Sequence, residues 1–235
     1  MRADLRGRDR AGYVRGMFHD IAPRYDLMNR LMTAGQDVRW RREVIARAGL
    51  RPGQRLLDLG AGTGDLARDA LRLASPAQVV AADFTVGMML AGRARHPRPE
   101  QWSGADALHL PFPEHRFDAL VSGFLLRNVV DLDAALREQL RVLVPGGRMV
   151  ALDTTRPRAG LHSPFVRFHM RTVIPWLGGL LTGAREAYTY LPETSENFLA
   201  AEDLAARMTA AGFEQVGFVR RMAGTIAIHW GTAPA

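Results

Sequence analysis

One loop, residues 58–65 with the sequence DLGAGTGD, constrains the fold of this chain more than any other stretch. It follows a short apolar run at 55–57 and precedes a helical pattern at 66–71. That order predicts a strand, a glycine loop and a helix, which is the repeating unit of an α/β sheet. Its three glycines, at 60, 62 and 64, permit positive φ angles and let backbone N–H groups approach a bound ligand.

The composition of this loop also bears on the kind of ligand. A pyrophosphate favours a positive helix end without an added carboxylate, whereas Asp58 stands just before the glycines. A cationic ligand tolerates that carboxylate, and S-adenosylmethionine is cationic at its sulfonium and amino groups and carries no phosphate. A nicotinamide-binding loop requires G-x-G-x-x-G, but the third position here is Asp65. A glycine turn that binds nothing stays open as the alternative for the loop taken alone.

Strand and helix patterns alternate through the middle of the chain. Beyond the first strand, apolar runs predict four further strands, at 78–84, at a short segment ending at Asp106, at 117–124 and at 148–153. Helices are predicted at 86–95 and at 132–143, the second stopped by the Pro-Gly-Gly turn at 145–147. A helix at 200–211 and a hairpin of 214–221 with 225–230 complete the chain. This order predicts an α/β fold with a mostly parallel sheet covered on both faces and an antiparallel C-terminal hairpin.

We expect a single domain over residues 1–235. Its parts are N-terminal helices on the substrate side, a cofactor-binding core, a helical insertion or lid, and the C-terminal helix with its hairpin, at 13–49, 54–155, 156–199 and 200–233. The insertion is rich in Pro, Phe, Trp and Leu, and we expect it to cover the site.

Composition limits the partners and the chemistry. The chain contains no cysteine, which excludes disulfides and thiolate metal sites, and we expect no metal. Its net charge of +7 comes from arginine without any lysine, and the arginines are scattered, so we expect no nucleic-acid partner. The first residues lack the apolar core of a signal peptide, and no apolar run is long enough to span a bilayer. We therefore expect a cytoplasmic protein, either free or associated with the cytoplasmic face of a membrane.

Four polar residues fall at the carboxyl ends of successive predicted strands: Asp58, Asp83, Asp106 and Ser122. Ligands of open α/β sheets bind at those ends. A carboxylate at Asp83 could accept hydrogen bonds from a ribose diol, and Asp106 could accept one from an adenine amine. Each residue alone is explained as well by helix capping or a turn, but four in succession favour a nucleoside site.

This pattern resembles the class I S-adenosylmethionine-dependent methyltransferases, whose fold is a Rossmann-like seven-stranded sheet. Six segments narrow the resemblance to the ubiquinone/menaquinone biosynthesis C-methyltransferase family: YDLMN at 25–29, RW at 39–40, GFLLRNV at 123–129, RVLVPGG at 141–147, YTYLP at 188–192 and TIAIHWG at 225–231. Three positions depart from the family pattern, because Asp37, Leu125 and Val144 replace a usual His, Gly and Lys. The first departure argues against any mechanism based on that histidine.

The resemblance implies a reaction and a set of site residues. The reaction would transfer a methyl group from S-adenosylmethionine to a ring carbon of a prenylated quinol, foremost demethylmenaquinol. The cofactor contacts would be Asp58, Gly60, Gly62, Thr63, Asp83, Asp106, Ala107 and Ser122. Proton handling and phenolate stabilisation would fall to Arg127, Tyr188 and His19, with Tyr190 and His229 as weaker candidates. A homodimer is a further expectation.

Other functions stay open at this point. The chain could methylate a ubiquinone precursor or another small aromatic or lipid, or it could be a catalytically inactive cofactor-binding protein. A nucleic-acid methyltransferase is disfavoured, because no Asn/Asp-Pro-Pro-aromatic element is present. The apolar segment 173–181 is too short to span a membrane, and we expect it to be a buried lid helix, to lie at the bilayer surface or to line a channel for the prenyl tail.

Overall fold

The computed structural model describes residues 35–75, 78–95, 101–156 and 198–235, together with Gly12, Gly16, Asn29, Arg30 and Thr33. Within these residues the chain forms one seven-stranded sheet. In chain order its strands are β1 (Arg55–Leu59), β2 (Gln78–Asp83), β3 (Gln101–Gly104), β4 (Phe117–Gly123), β5 (Leu143–Thr154), β6 (Glu214–Arg221) and β7 (Ile226–Thr232).

The order of strands across the sheet is β3-β2-β1-β4-β5-β7-β6. The first five strands run parallel, and β7 is antiparallel to both β5 and β6. The predicted mostly parallel seven-stranded sheet with an antiparallel C-terminal hairpin is therefore confirmed. The direction of winding reverses between β1 and β4, and a ligand crevice forms at such a point beyond the carboxyl ends of the strands.

Five α-helices lie among the described residues: α1 (Asp37–Ala48), α2 (Asp65–Leu73), α3 (Val86–Arg95), α4 (Leu132–Val142) and α5 (Ala201–Ala210). Side chains of α1 and α2 share one buried cluster with Leu56 and Val121, while α4 and α5 share another with Leu57 and Leu120. Because successive strand residues point to opposite faces, these alternating residues place the two helix pairs on opposite sides of the sheet. Both faces are thus covered, as predicted.

Several strand boundaries differ from the sequence prediction, and two of these differences concern a predicted turn and a predicted site residue. β5 begins at Leu143 and not at 148, and the Pro-Gly-Gly segment that was expected to precede the strand lies inside it. There the register with β4 jumps from Phe117↔Leu143 to Ala119↔Arg148, so the extra residues form a bulge, with φ of +70° at Gly146. β3 ends at Gly104, and Asp106 instead makes an isolated bridge with His109.

About half of the predicted N-terminal helical region at 13–49 and most of the predicted insertion at 156–199 lie outside the described residues. Among those that are described, no helix is long and apolar enough to cross a membrane.

Candidate cofactor site

The glycine loop joins β1 to α2 and is fastened to the end of β2. Gly60, Gly62 and Gly64 have φ angles of +70°, +56° and +85°, a conformation that favours glycine. The backbone N–H groups of Gly60 and Ala61 donate to the carbonyl oxygen of Ala82 at 2.8 and 3.0 Å. The N–H of Gly62 donates to Oδ2 of Asp83 at 2.8 Å. These donors are used within the protein, which suits a ligand without phosphate.

Close packing around the loop also requires glycine. A Cβ atom on Gly60 would lie 3.0 Å from Leu125 Cδ1. A Cβ atom on Gly92 of α3 would lie only 2.4 Å from the carbonyl oxygen of Thr63, a distance that real structures avoid. The loop is therefore held between α3 and the segment that follows β4.

Asp83 occupies the last position of β2, where the sequence placed a ribose-binding carboxylate. Its Oδ2 accepts from Gly62 N, and its Oδ1 accepts from the backbone N of Thr85 at 2.6 Å. Burial raises the pKa of Asp83 above its ordinary value, and these hydrogen bonds oppose the rise. The side chain of Thr85 also hydrogen-bonds to Asp83. A carboxylate has about four lone-pair positions, so these three donors leave capacity for one more, such as a ribose hydroxyl. Asp83 lines the larger of two neighbouring clefts.

Asp58, the carboxylate before the glycines, is fully buried. Its Oδ2 accepts from the backbone N of Ala67 at 2.9 Å, while its Oδ1 has no hydrogen-bond partner among the described residues. Burial raises the pKa of Asp58 to about 7, against the opposing effect of the bond from Ala67. A buried carboxylate oxygen without a partner is costly unless a ligand supplies a donor or a positive charge.

Two clefts meet at this edge of the sheet. The larger cleft has an empty volume of about 900 Å³ and contains Gly60, Gly62, Asp83, Asp106 and Ala107 in its wall. The smaller cleft has an empty volume of about 530 Å³. Its wall includes Asn29, Asp37, Arg41, Asp58, Thr63 and Asp65. Four residues line both clefts: Gly60, Gly62, Gly123 and Phe124.

All of the predicted cofactor residues except Ser122 line one or both of these clefts. Asp106 is exposed and its Oδ1 accepts from Leu108 N at 3.0 Å, whereas Ala107 is buried. Ser122 is buried in β4, one residue before Gly123, and is absent from the wall of either cleft. Its Oγ has no hydrogen-bond partner among the described residues.

An ionic cluster borders the smaller cleft. Nη1 of Arg41 in α1 lies 3.2 Å from Asp65 Oδ2, and its Nε lies 3.1 Å from Asp69 Oδ2. Nη1 also pairs with Asp37. Asp37, which stands where the family usually has His, additionally accepts a hydrogen bond from Thr33 Oγ1 at 3.1 Å. The departure at 37 therefore creates a carboxylate that holds Arg41 at the cleft.

Arg127, a predicted catalytic residue, is buried in a short 3₁₀ turn (Leu126–Asn128) after β4. Its Nη1 lies 3.2 Å from Oδ1 of Asp153, and its backbone N donates to Oδ2 of the same carboxylate at 3.2 Å. Its guanidinium carbon lies 4.9 Å from the ring centroid of Phe124. The sequence analysis missed Asp153, although this residue ends the predicted fifth strand and could have been nominated by the reasoning applied to the others.

The remaining candidates are divided between the core and the undescribed segments. His229 is buried in β7, where its Nε2 lies 3.0 Å from the carbonyl oxygen of Ala201, and burial lowers its pKa to about 4. This is a structural environment away from both clefts. His19, Tyr188 and Tyr190 lie outside the described residues, so their roles stay predictions.

Comparison with known proteins identifies the family. Residues 6–233 match the model of the ubiE/COQ5 methyltransferase family. The chain belongs to this family. The family predicted from the sequence is thereby confirmed, and so is the prediction that the chain is a methyltransferase.

Curated relatives resemble nearly the whole chain. The Desulfotalea psychrophila protein named ubiquinone/menaquinone biosynthesis C-methyltransferase UbiE is 46% identical, covering 93% of this chain and 89% of its own. The Thermus thermophilus protein named demethylmenaquinone methyltransferase is also 46% identical, covering 93% of this chain and 100% of its own.

Solved structures support the fold. A chain of the Haloferax volcanii complex between the Trm112 methyltransferase activator and a methyltransferase superposes with a TM-score of 0.66 at 16% identity, covering 93% of this chain and 98% of that one. Haemonchus contortus phosphoethanolamine N-methyltransferase 2, with phosphomonomethylethanolamine and S-adenosylhomocysteine, gives a TM-score of 0.64 at 16% identity, covering 84% of this chain and 53% of that one. At this identity the likeness concerns the fold alone.

Proposed function

We propose that this protein transfers a methyl group from S-adenosylmethionine to a ring carbon of a prenylated quinol, converting demethylmenaquinol to menaquinol. The observation that carries the cofactor assignment is the pair of strand-end carboxylates, Asp83 in the larger cleft and Asp58 in the smaller. The quinol assignment is supported by the 46% identity to relatives named for menaquinone and ubiquinone methylation.

The cofactor fits the two clefts by its chemistry. Its adenosine would occupy the larger cleft, with a ribose hydroxyl on Asp83 and the adenine near Asp106 and Ala107. Its amino acid end would occupy the smaller cleft, where the ammonium would supply the missing partner of Asp58 Oδ1.

S-adenosylmethionine supplies an electrophilic methyl group, so the protein needs to align it with the quinol carbon and to assist loss of the phenolic proton. Alignment can contribute on the order of 7–11 kcal/mol, and a positioned base contributes about 10²–10⁴-fold in rate. Among our three candidates for the proton, Arg127 is already paired with Asp153, which reduces its capacity to stabilise a phenolate. We therefore favour His19 or Tyr188 for proton removal.

The test is an assay of the purified protein with S-adenosylmethionine carrying a labelled methyl group. Demethylmenaquinol, a ubiquinone precursor and an unrelated catechol are offered separately, and products are identified by mass. We expect label in menaquinol foremost. Turnover of the ubiquinone precursor alone would replace the menaquinone assignment, and cofactor binding without turnover of any quinol would indicate an inactive cofactor-binding protein.

We also propose that the protein works at the cytoplasmic face of a membrane, because the tail of a prenylated quinol is held there. The apolar segment 173–181, outside the described residues, is the proposed contact. In liposome flotation, Trp176→Asp combined with Leu180→Asp should abolish binding by a folded protein, and unchanged flotation would remove this proposal. The proposed homodimer is tested by light scattering, where a monomeric mass would contradict it.

A further inference from the structure

Phe124 adopts a backbone conformation that is unusual for an aromatic residue. It follows β4 directly and has a φ of +59°, in the left-handed region that favours glycine. Such a residue persists only where its surroundings hold it, and these residues concentrate at functional sites. The contacts of Phe124 therefore account for its left-handed conformation.

Three separate contacts hold Phe124 in place. Its backbone N donates to the carbonyl oxygen of Leu152 at 2.7 Å, and its own carbonyl oxygen accepts from Nδ2 of Asn128 at 2.9 Å. Its ring lies under the guanidinium of Arg127. Asp153 accepts one hydrogen bond from Nη1 of that guanidinium and a second from the backbone N of Arg127. The pairing with Asp153 also neutralises the positive charge that Arg127 brings to the ring.

Phe124 stands where the two clefts join. If the cofactor occupies them as proposed above, the sulfur atom lies at the junction, because it links the ribose to the amino acid end. Of the four residues that line both clefts, three are glycines, so Phe124 alone brings a side chain. Since its backbone N–H and C=O groups are already bonded within the protein, the ring is what it can offer to a ligand.

We propose that the ring of Phe124 faces the sulfonium and distinguishes the charged cofactor from its neutral product, S-adenosylhomocysteine. The face of an aromatic ring attracts a cation and offers no comparable attraction to a thioether. The strained backbone aims the ring at the junction, and Arg127, Asn128 and Asp153 are positioning residues for it. This inference rests on the proposed use of S-adenosylmethionine.

The test compares the affinities of S-adenosylmethionine and S-adenosylhomocysteine by calorimetry in matched variants. Phe124→Leu keeps an apolar side chain and removes the ring, whereas Phe124→Tyr keeps the ring. We expect Phe124→Leu to weaken the binding of S-adenosylmethionine about 2- to 30-fold more than that of S-adenosylhomocysteine. Phe124→Tyr should preserve the ratio of the wild-type protein.

Further variants separate the electrostatic effect from a loss of structure. Should Phe124→Leu fail to fold, Phe124→Gly removes the ring while relieving the left-handed strain, and the same change in ratio is expected. Asp153→Asn leaves the charge of Arg127 uncompensated behind the ring and should also weaken S-adenosylmethionine selectively. A purely structural role would weaken both ligands equally.

The outcomes distinguish this inference from the proposed function. A wild-type protein that binds neither compound contradicts the proposed function itself. A wild-type protein that binds both, with a ratio that Phe124→Leu and Phe124→Gly leave unchanged, overturns only the role of Phe124.

Discussion

The buried carboxylate of Asp58 makes the stability of the protein depend on pH in an uncommon direction. Its pKa of about 7 in the folded protein lies about three pH units above the ordinary value of 3.8. Between these values the unfolded chain releases the proton while the folded protein retains it, so the free energy of unfolding falls as the pH rises. At about 1.36 kcal/mol for each pH unit, the full effect is about 4 kcal/mol.

We expect Asp58→Asn to remove this dependence, because an amide does not titrate. The assay is urea unfolding of both proteins at several values between about pH 4 and pH 8. The free energy of unfolding of the variant minus that of the wild type should grow by about 4 kcal/mol from the acid to the alkaline end. A constant offset of about 1 kcal/mol from imperfect hydrogen bonding of the new amide would leave this slope unaffected.

The cofactor provides the second arm of this experiment. An ammonium group bound to Asp58 favours the ionised carboxylate, so saturating S-adenosylmethionine should stabilise the wild type more at about pH 8 than at about pH 6. In Asp58→Asn the stabilisation should be smaller and independent of pH. Parallel curves for the two proteins, with and without the cofactor, would refute the assignment of Asp58 as the buried, titrating partner of the ammonium.

Three further predictions follow from the same contacts. Asp83→Ala should weaken S-adenosylmethionine binding roughly 10- to 100-fold in calorimetry, because charged hydrogen bonds to the ribose are lost, whereas Asp118→Ala at the opposite end of the strands should leave affinity unchanged. Gly92→Ala should cost about 1–3 kcal/mol in urea unfolding through its clash with Thr63, and Gly104→Ala, whose Cβ meets nothing within 4 Å, serves as the neutral control. The pKa of His229 is about 4 in the folded protein against an ordinary 6.5, so its contribution to stability should be lost as the pH falls from about 6.5 to 4, a change of roughly 3 kcal/mol. His229→Gln should abolish this loss in unfolding curves measured at acid pH. The same loss of stability at acid pH in the variant would contradict the prediction.

The last of these effects explains why the pH profile of Asp58 needs a matched variant. His229 raises stability with increasing pH over nearly the same range in which Asp58 lowers it. The two contributions partly cancel in the wild-type protein. Only the difference between wild type and variant isolates either group.

Much of the fold could be predicted because its signals are local. Apolar alternation located the strands of the sheet, and the glycines at 60, 62 and 64 all adopt the positive φ angles that their spacing suggested. Asp58 and Asp83 were expected at one edge of the sheet because each lies at the carboxyl end of a buried parallel strand. These features depend on short stretches of sequence.

Features that depend on distant contacts were not predictable in this way. The pairing of Arg127 with Asp153 spans 26 residues and arises only once β4 and β5 are adjacent. The left-handed backbone of Phe124 has no local signal, because phenylalanine is not a turn residue and its conformation is imposed by Leu152 and Asn128. The bulge in β5 likewise depends on its pairing with β4, while the Pro-Gly-Gly sequence suggested an ordinary turn.

The bonded amides of the glycine loop limit how far this site could be adapted to another cofactor. Replacing Asp65 with glycine would give the loop the G-x-G-x-x-G sequence of a dinucleotide-binding fingerprint. The amides of Gly60, Ala61 and Gly62 would still donate their hydrogen bonds to Ala82 and Asp83. An incoming phosphate would find these three amides already bonded, and the two aspartates Asp58 and Asp83 would repel it. Binding a dinucleotide in this fold therefore requires a different backbone conformation of the loop, which single substitutions at the fingerprint positions do not provide.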